Sequence, residues 1–288
     1  MQSYSPGKPH WWQWVTVLSL DAPAVAVSWQ WLFAHTTGAN LHWFHHLILG
    51  SAVWLAYSAD RWIEGWLLPP EQIQTQRHLF YQRRRWLTFT VWLIVLCGSL
   101  VLALAHLSSM EFRAGLVLLI PVLLYLLSHQ LVHRHHPLRV PKELCVALLF
   151  VAGISLFSFV QVPIQPQQEG VLLVLFGLLC FADCALISVW ENEVDRHHGQ
   201  TSLALQYPGG HGLVRLLPWL VAAIALVLAW RETDPLRTAS LCAAASGCML
   251  GVIDLAHQHC GRQLSRVLAD MVLLTPLLAW AANLGGGR

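Results

Sequence analysis

The sequence predicts an all-α integral membrane bundle of about nine transmembrane helices, and three observations carry that expectation. Of the 288 residues, 56% are hydrophobic and 11% charged, whereas a soluble domain carries about 25% charged residues. The apolar residues gather in runs of about 20, the length that crosses the hydrocarbon core of a bilayer. Lysine and arginine crowd every second connection between those runs. Water-soluble enzyme folds and disordered chains are excluded by the same composition. The net charge of +2 offers no field for a nucleic-acid partner, and membrane lipid is the expected surrounding.

Nine apolar segments follow in order, at about 11–33, 41–63, 86–106, 113–132, 143–161, 170–190, 213–230, 237–256 and 266–284. Only helices satisfy their backbone hydrogen bonds over such lengths in lipid. The first run is broken by Asp21-Ala22-Pro23 and follows a single lysine, which speaks against a cleaved signal peptide. No linker or shift of composition divides the chain, so residues 1–288 read as one transmembrane domain. The N-terminal segment and the connections after spans 2, 4, 6 and 8 hold 13 of the 17 lysines and arginines. The positive-inside rule places that end in the cytoplasm. Trp11, Trp12, Trp62, Trp66, Trp86 and Trp190 stand at span ends, where indole rings anchor a helix at the interface. The seven cysteines fall almost wholly inside apolar runs and read as small core residues.

Acids close two of the spans. Tyr57-Ser58-Ala59-Asp60-Arg61-Trp62-Ile63-Glu64 ends the second, and Glu191-Asn192-Glu193-Val194-Asp195-Arg196 ends the sixth. Asp60/Glu64 and Glu191/Asp195 are each four apart, so a helix puts each pair on one face. A plain reading makes them solvated caps balanced by arginines. A functional one follows from their chemistry, because paired hard oxygen donors suit Mg²⁺, which takes one or two carboxylates and completes its shell with phosphate oxygens and water. Two such groups on one side of a membrane could hold a diphosphate as it departs. The connection after span 2 carries Arg77 and Arg83-Arg84-Arg85, and Lys142 opens span 5. Arg77, Arg84 and Lys142 are the candidate contacts to diphosphate oxygens, although a basic cluster also anchors anionic lipid.

The stretch from Glu191 to Asp195, continued by Arg196-His197-His198-Gly199-Gln200-Thr201-Ser202-Leu203-Ala204, resembles the second acidic motif of the UbiA superfamily of intramembrane prenyltransferases. That motif reads Asp-x-Glu-x-Asp, then Arg, a spacer, Gly and Thr/Ser-Leu. The nine-span count and Pro141-Lys142-Glu143-Leu144 before span 5 are similar too. Ala56-Tyr57 stand where that family's first motif has Asn-Asp, so the chain resembles a divergent member. The resemblance implies a Mg²⁺-dependent prenyltransferase acting on a polyprenyl diphosphate and a lipophilic acceptor. Asp60, Glu64, Glu191 and Asp195 would be catalytic, and Glu193 would join these four as a metal ligand.

Other readings stay open. Capture of the prenyl cation by the chain's own double bond would make the protein a terpene cyclase, and loss of activity would leave a membrane scaffold. The 16 histidines include His42-x-x-His45-His46 and His129-x-x-x-His133-x-His135-His136, similar to the boxes of membrane di-iron oxygenases. Topology sets those two groups at opposite ends of the spans, about 30 Å apart, too far for one dimetal centre. A cluster at one end from His129, His133, His135, His136, His257 and His259 stays open. Asp21, Asp183, Asp254 and Asp270 lie in or near spans, as interhelical hydrogen-bond partners or as an ion path. The sequence displays no matching pair of broken helices of the kind a transporter uses.

Overall fold

The computed structural model describes residues 9–67, 75–128, 141–163, 169–197 and 202–286. No strand occurs among them, and the chain is a bundle of helices. A short 3-10 turn, Trp11–Gln13, leads into α1 (Trp14–Val17) and α2 (Asp21–Thr37). There follow α3 (Trp43–Leu67), α4 (Gln76–Arg83), α5 (Arg85–His106), α6 (Ser109–Leu127), α7 (Lys142–Gln161) and α8 (Glu169–Trp190). The chain continues with α9 (Asn192–His197), α10 (Leu203–Gln206), α11 (His211–Arg231), α12 (Leu236–Cys260), α13 (Arg262–Val272) and α14 (Pro276–Gly286).

Among the described residues, six helices are long and apolar enough to cross a membrane: α5, α6, α7, α8, α11 and α12. Two bent pairs raise the number to eight. The pair α1 and α2 turns by 74°, and α13 and α14 by 44°. Both lie where the sequence reading drew one span, the first of them already read as broken at Asp21-Ala22-Pro23. The physical reason is local, since Pro23 sits in the first turn of α2 and Pro276 opens α14. Proline has no N–H to continue a helix but fits a helix start. The 25-residue α3 is long enough, but His45, His46, Asp60 and Arg61 dilute its apolar character.

The bundle's middle is α2 and α8, with α7, α11 and α12 packed on α8, and α3 and α7 on α2. Trp29 and Phe33 of α2 and Phe176 of α8 are fully enclosed, and Trp29 meets Phe176 at 4.7 Å between ring centroids. By contrast, only 6% of the most apolar window of α5, and of α6, is buried, against 50% in α8. Those two helices leave most of their surface uncovered by the rest of the bundle.

Close packing of α11 on α12 rests on small residues. Of the 11 buried positions in α12, Ala239, Ser240, Cys242, Ala243, Ala244, Ser246, Gly247 and Gly251 are small. A Cβ on Gly247 would lie 2.8 Å from the Pro218 carbonyl oxygen, and one on Gly251 would run into the Trp219 ring. This Gly-x-x-x-Gly spacing lets two membrane helices approach where side chains would hold them apart.

Each break is tied by side chains. Arg61 donates to the Thr16 carbonyl and, at 2.8 Å, to Ser19 Oγ, while Trp54 Nε1 donates to the Leu18 carbonyl at 3.0 Å. Ser19 has the left-handed φ of 58°, and its hydroxyl lies 3.0 Å from that of Tyr81. Burial pushes the Tyr81 phenol above its ordinary pKa. At the second break, Trp29 Nε1 donates to the Leu273 carbonyl at 2.8 Å and Ser246 Oγ to that of Val272 at 2.7 Å.

Candidate functional site

The ends of α3, α8 and α9, and the starts of α4, α7 and α13, meet at one end of the bundle around a cavity of about 660 Å³. Its mouth is charged: Asp60, Glu191 and Asp195 line it with Arg77, Lys142 and Arg266. Beyond that mouth the walls are apolar side chains of α3, α5, α6 and α7, reaching Leu107, Phe112 and Phe157. The space thus joins a charged end to long apolar walls, with Asp21, Asp183 and Asp270 also on its lining.

Helical continuity explains the charged wall. The Glu191 N–H donates to Ile187 and the Asp195 N–H to Glu191, so α8 runs almost unbroken into α9. Asp183, Ile187, Glu191 and Asp195, each four residues from the next, then share one face and all line the cavity. Glu191 is held by two cations: Arg77 donates to its Oε2 at 3.3 Å, and Arg266 donates to the same oxygen. The segment similar to the second acidic motif is also docked, since the Leu203 N–H donates to Glu143 Oε1 at 3.0 Å. That bond joins the start of α7 to the start of α10, two places the sequence had singled out separately.

Five of the expected residues are thus brought together: Asp60, Glu191, Asp195, Arg77 and Lys142. Glu193 and Arg84 are exposed and do not line the cavity. Glu64 falls in α3, but its side chain lies outside the described residues, as does that of His197. Residues 129–140, with His129, His133, His135 and His136, and residues 198–201 lie outside them as well. Arg266, counted in the sequence only as part of the basic excess, turns out to hold Glu191.

The remaining acids and histidines divide cleanly. Asp254 accepts from Trp190 Nε1 at 2.9 Å and pairs with Arg215 at 3.7 Å, so it is an interhelical partner. Trp190 is buried by that bond and by stacking on His257 at 5.0 Å, instead of anchoring an interface. At the opposite end of the bundle, the His42 N–H donates to His45 Nδ1 at 2.9 Å. That fixes the proton on Nε2, which donates to Glu111 Oε1 at 3.1 Å. Gln161 and Ser108 complete the shell of Glu111, tying α3, α6 and α7. Asp21, Asp183 and Asp270 face the cavity instead.

Asp60, Glu191 and Asp195 offer hard carboxylate oxygens on one cavity, and magnesium needs only one or two when phosphate and water supply the rest. Glu191 is held by two guanidinium groups, and Asp60 and Asp195 bring further carboxylate oxygens to the same cavity. Among the described residues, no three histidine, cysteine or acidic side chains converge into a complete protein cage. The residues therefore fit a metal that arrives with a phosphorylated substrate. No known protein family, curated protein or solved structure matches this chain.

Proposed function

We propose that the protein is a magnesium-dependent intramembrane prenyltransferase of the UbiA kind, ionising a polyprenyl diphosphate and passing the prenyl group to a lipophilic acceptor. The observation that carries this reading is a cavity with charged side chains gathered at one end and long apolar walls from α3, α5, α6 and α7. Arg77, Lys142 and Arg266 bind diphosphate oxygens as charge-assisted donors. Glu191 holds Arg77 and Arg266 in register, so they need little reorganisation as charge grows on the leaving group. When magnesium is bound, its chemistry is charge neutralisation at the departing diphosphate, and Asp60 and Asp195 are the residues that would hold it. The walls of α3, α5, α6 and α7 keep water from the allylic carbon. Counting α3 and both bent pairs as spans gives nine, and the basic excess puts the charged mouth in the cytoplasm.

A second reading draws on the cavity's aromatic walls, where Tyr57, Trp92, Phe112, Phe150 and Phe157 all appear. Ring faces attract cations, so the prenyl chain's own double bond would capture the cation, as in a cyclase. The bent spans also suggest a transporter with discontinuous helices. Against that stands the fate of the carbonyls named above at each break, which Arg61, Trp54, Trp29 and Ser246 already occupy.

The test is a titration of purified protein in detergent with geranylgeranyl diphosphate, in Mg²⁺ and in EDTA. Thermal stabilisation reports binding by mass action, and released pyrophosphate reports ionisation. Stabilisation should require Mg²⁺, vanish in Asp195→Asn and persist in His45→Ala. Pyrophosphate release without acceptor selects the cyclase. Equal loss in both variants, or no metal-dependent shift, overturns the site.

A further inference from the structure

Deeper in the same cavity lies a second polar group that the diphosphate chemistry does not use. Asp21 from α2, Tyr57 and Arg61 from α3, Asp183 and Cys184 from α8 and Asp270 from α13 all line it. Asp183 is eight residues before Glu191 on a nearly continuous helix, which sets it about 12 Å further in. Asp270 is one turn beyond Arg266 in the same inward sense. Asp183 and Asp270 thus lie further in than Glu191 and Arg266, while Tyr57 and Arg61 stand within one turn of Asp60 and join the two groups.

The inner group has unmet hydrogen-bonding capacity. Asp183 is 5% exposed, and its Oδ1 has no hydrogen-bond partner among the described residues. Asp21 spends Oδ1 on the Ala22 N–H at 2.9 Å. Arg61, the one cation of this group, is committed to Thr16 and Ser19 at the helix break, with Tyr57 beneath its guanidinium at 5.8 Å. A buried acceptor without a donor is costly unless something arrives to fill it. Carboxyl oxygens from three helices, set among apolar walls, ask for a ligand that brings an O–H or N–H.

We propose that Asp21, Asp183 and Asp270 form the acceptor subsite, which takes a small molecule whose nucleophilic atom carries a proton, a hydroxyl or an amine, with Asp183 Oδ1 as its hydrogen-bond acceptor. This rests on the prenyl-transfer reading and specifies its second substrate. In the step itself, the acceptor's lone pair forms the new bond to the allylic carbon. The carbon–oxygen bond to diphosphate breaks with its electron pair leaving on the diphosphate, and the acceptor's proton passes to Asp183.

The experiment measures binding of p-cresol and of p-xylene, which replaces the hydroxyl by a methyl of similar size, to the full chain in detergent at matched free concentrations. Wild type should bind p-cresol at least tenfold more tightly, since a site built to pair a hydroxyl rejects the analogue that lacks it. In Asp183→Leu that preference should fall below twofold, while binding of geranylgeranyl diphosphate with Mg²⁺ stays within twofold of wild type. Equal binding of the two rings by wild type overturns the subsite without recourse to any variant. So does a preference that survives Asp183→Leu. Absence of diphosphate binding by wild type is a different result, which overturns the prenyl-transfer reading on which the subsite rests.

Discussion

Arg77 and Arg266 reach the same oxygen of Glu191 from helices far apart in the chain, one just after α3 and one at the start of α13. All three side chains are mostly buried, at 14%, 18% and 10% exposure. Counted by themselves, one carboxylate and two guanidinium groups carry a net positive charge, and all three side chains line the cavity.

The first prediction concerns that trio. Glu191→Gln keeps the shape but leaves two adjacent cations without their counter-charge, and breaking such a buried pair costs about 3 kcal/mol. We expect a lower melting temperature in detergent, recovered in part by saturating inorganic pyrophosphate, which restores the missing negative charge. Arg266→Ala should lower the melting temperature without any pyrophosphate rescue. An identical response of the two variants would remove Glu191 from its positioning role.

Arg61 yields the second. Its bonds to Thr16 and Ser19 strap the break between α1 and α2, and hydrogen bonds to a charged group contribute about 1.5–3 kcal/mol each. Arg61→Ala should speed amide exchange across residues 14–20 while leaving exchange around His45 and Glu111 at the other end unchanged. Uniform acceleration would mean a global loss of stability, not a local strap.

These two sites also mark how much the sequence disclosed. Asp60, Glu191, Asp195, Arg77 and Lys142 were legible because a charge at the end of an apolar run is conspicuous. Asp183 and Asp270 were visible as intramembrane acids, but their direction was not. Between Glu169 at its start and Ser188 near its end, α8 is apolar but for Asp183, so no periodicity says which face turns inward. Arg266 was hidden for a related reason, since one more arginine in a basic connection carries no sign of its partner. The bends at 18–20 and 273–275 were signalled only by Pro23 and Pro276, residues that membrane helices often absorb without breaking. The modest apolarity of α3 comes in part from Asp60 and Arg61, which line the cavity, and in part from His45 and His46, which do not.

A third prediction contrasts glycines. Gly251→Ala puts a methyl into the Trp219 ring, and overpacking of this kind costs about 1–3 kcal/mol. Gly98→Ala, in α5 with nothing within 4 Å of the added Cβ, should instead stabilise by about 0.5–1 kcal/mol through helix propensity. Thermal unfolding of the two variants in the same detergent separates them by sign. A destabilised Gly98→Ala would mean that α5 is enclosed by something besides lipid.

The small residues of α12 have one more consequence. Alanine and glycine have no rotamers to lose when they are packed, so the seam between α11 and α12 freezes fewer side chains than one built of large residues. In lipid, where burying apolar surface gives no driving force, that saving leaves dispersion between two closely apposed backbones almost unopposed. The pair is therefore suited to assemble early and to stand as a stiff wall behind α8, whose opposite face carries the carboxylates.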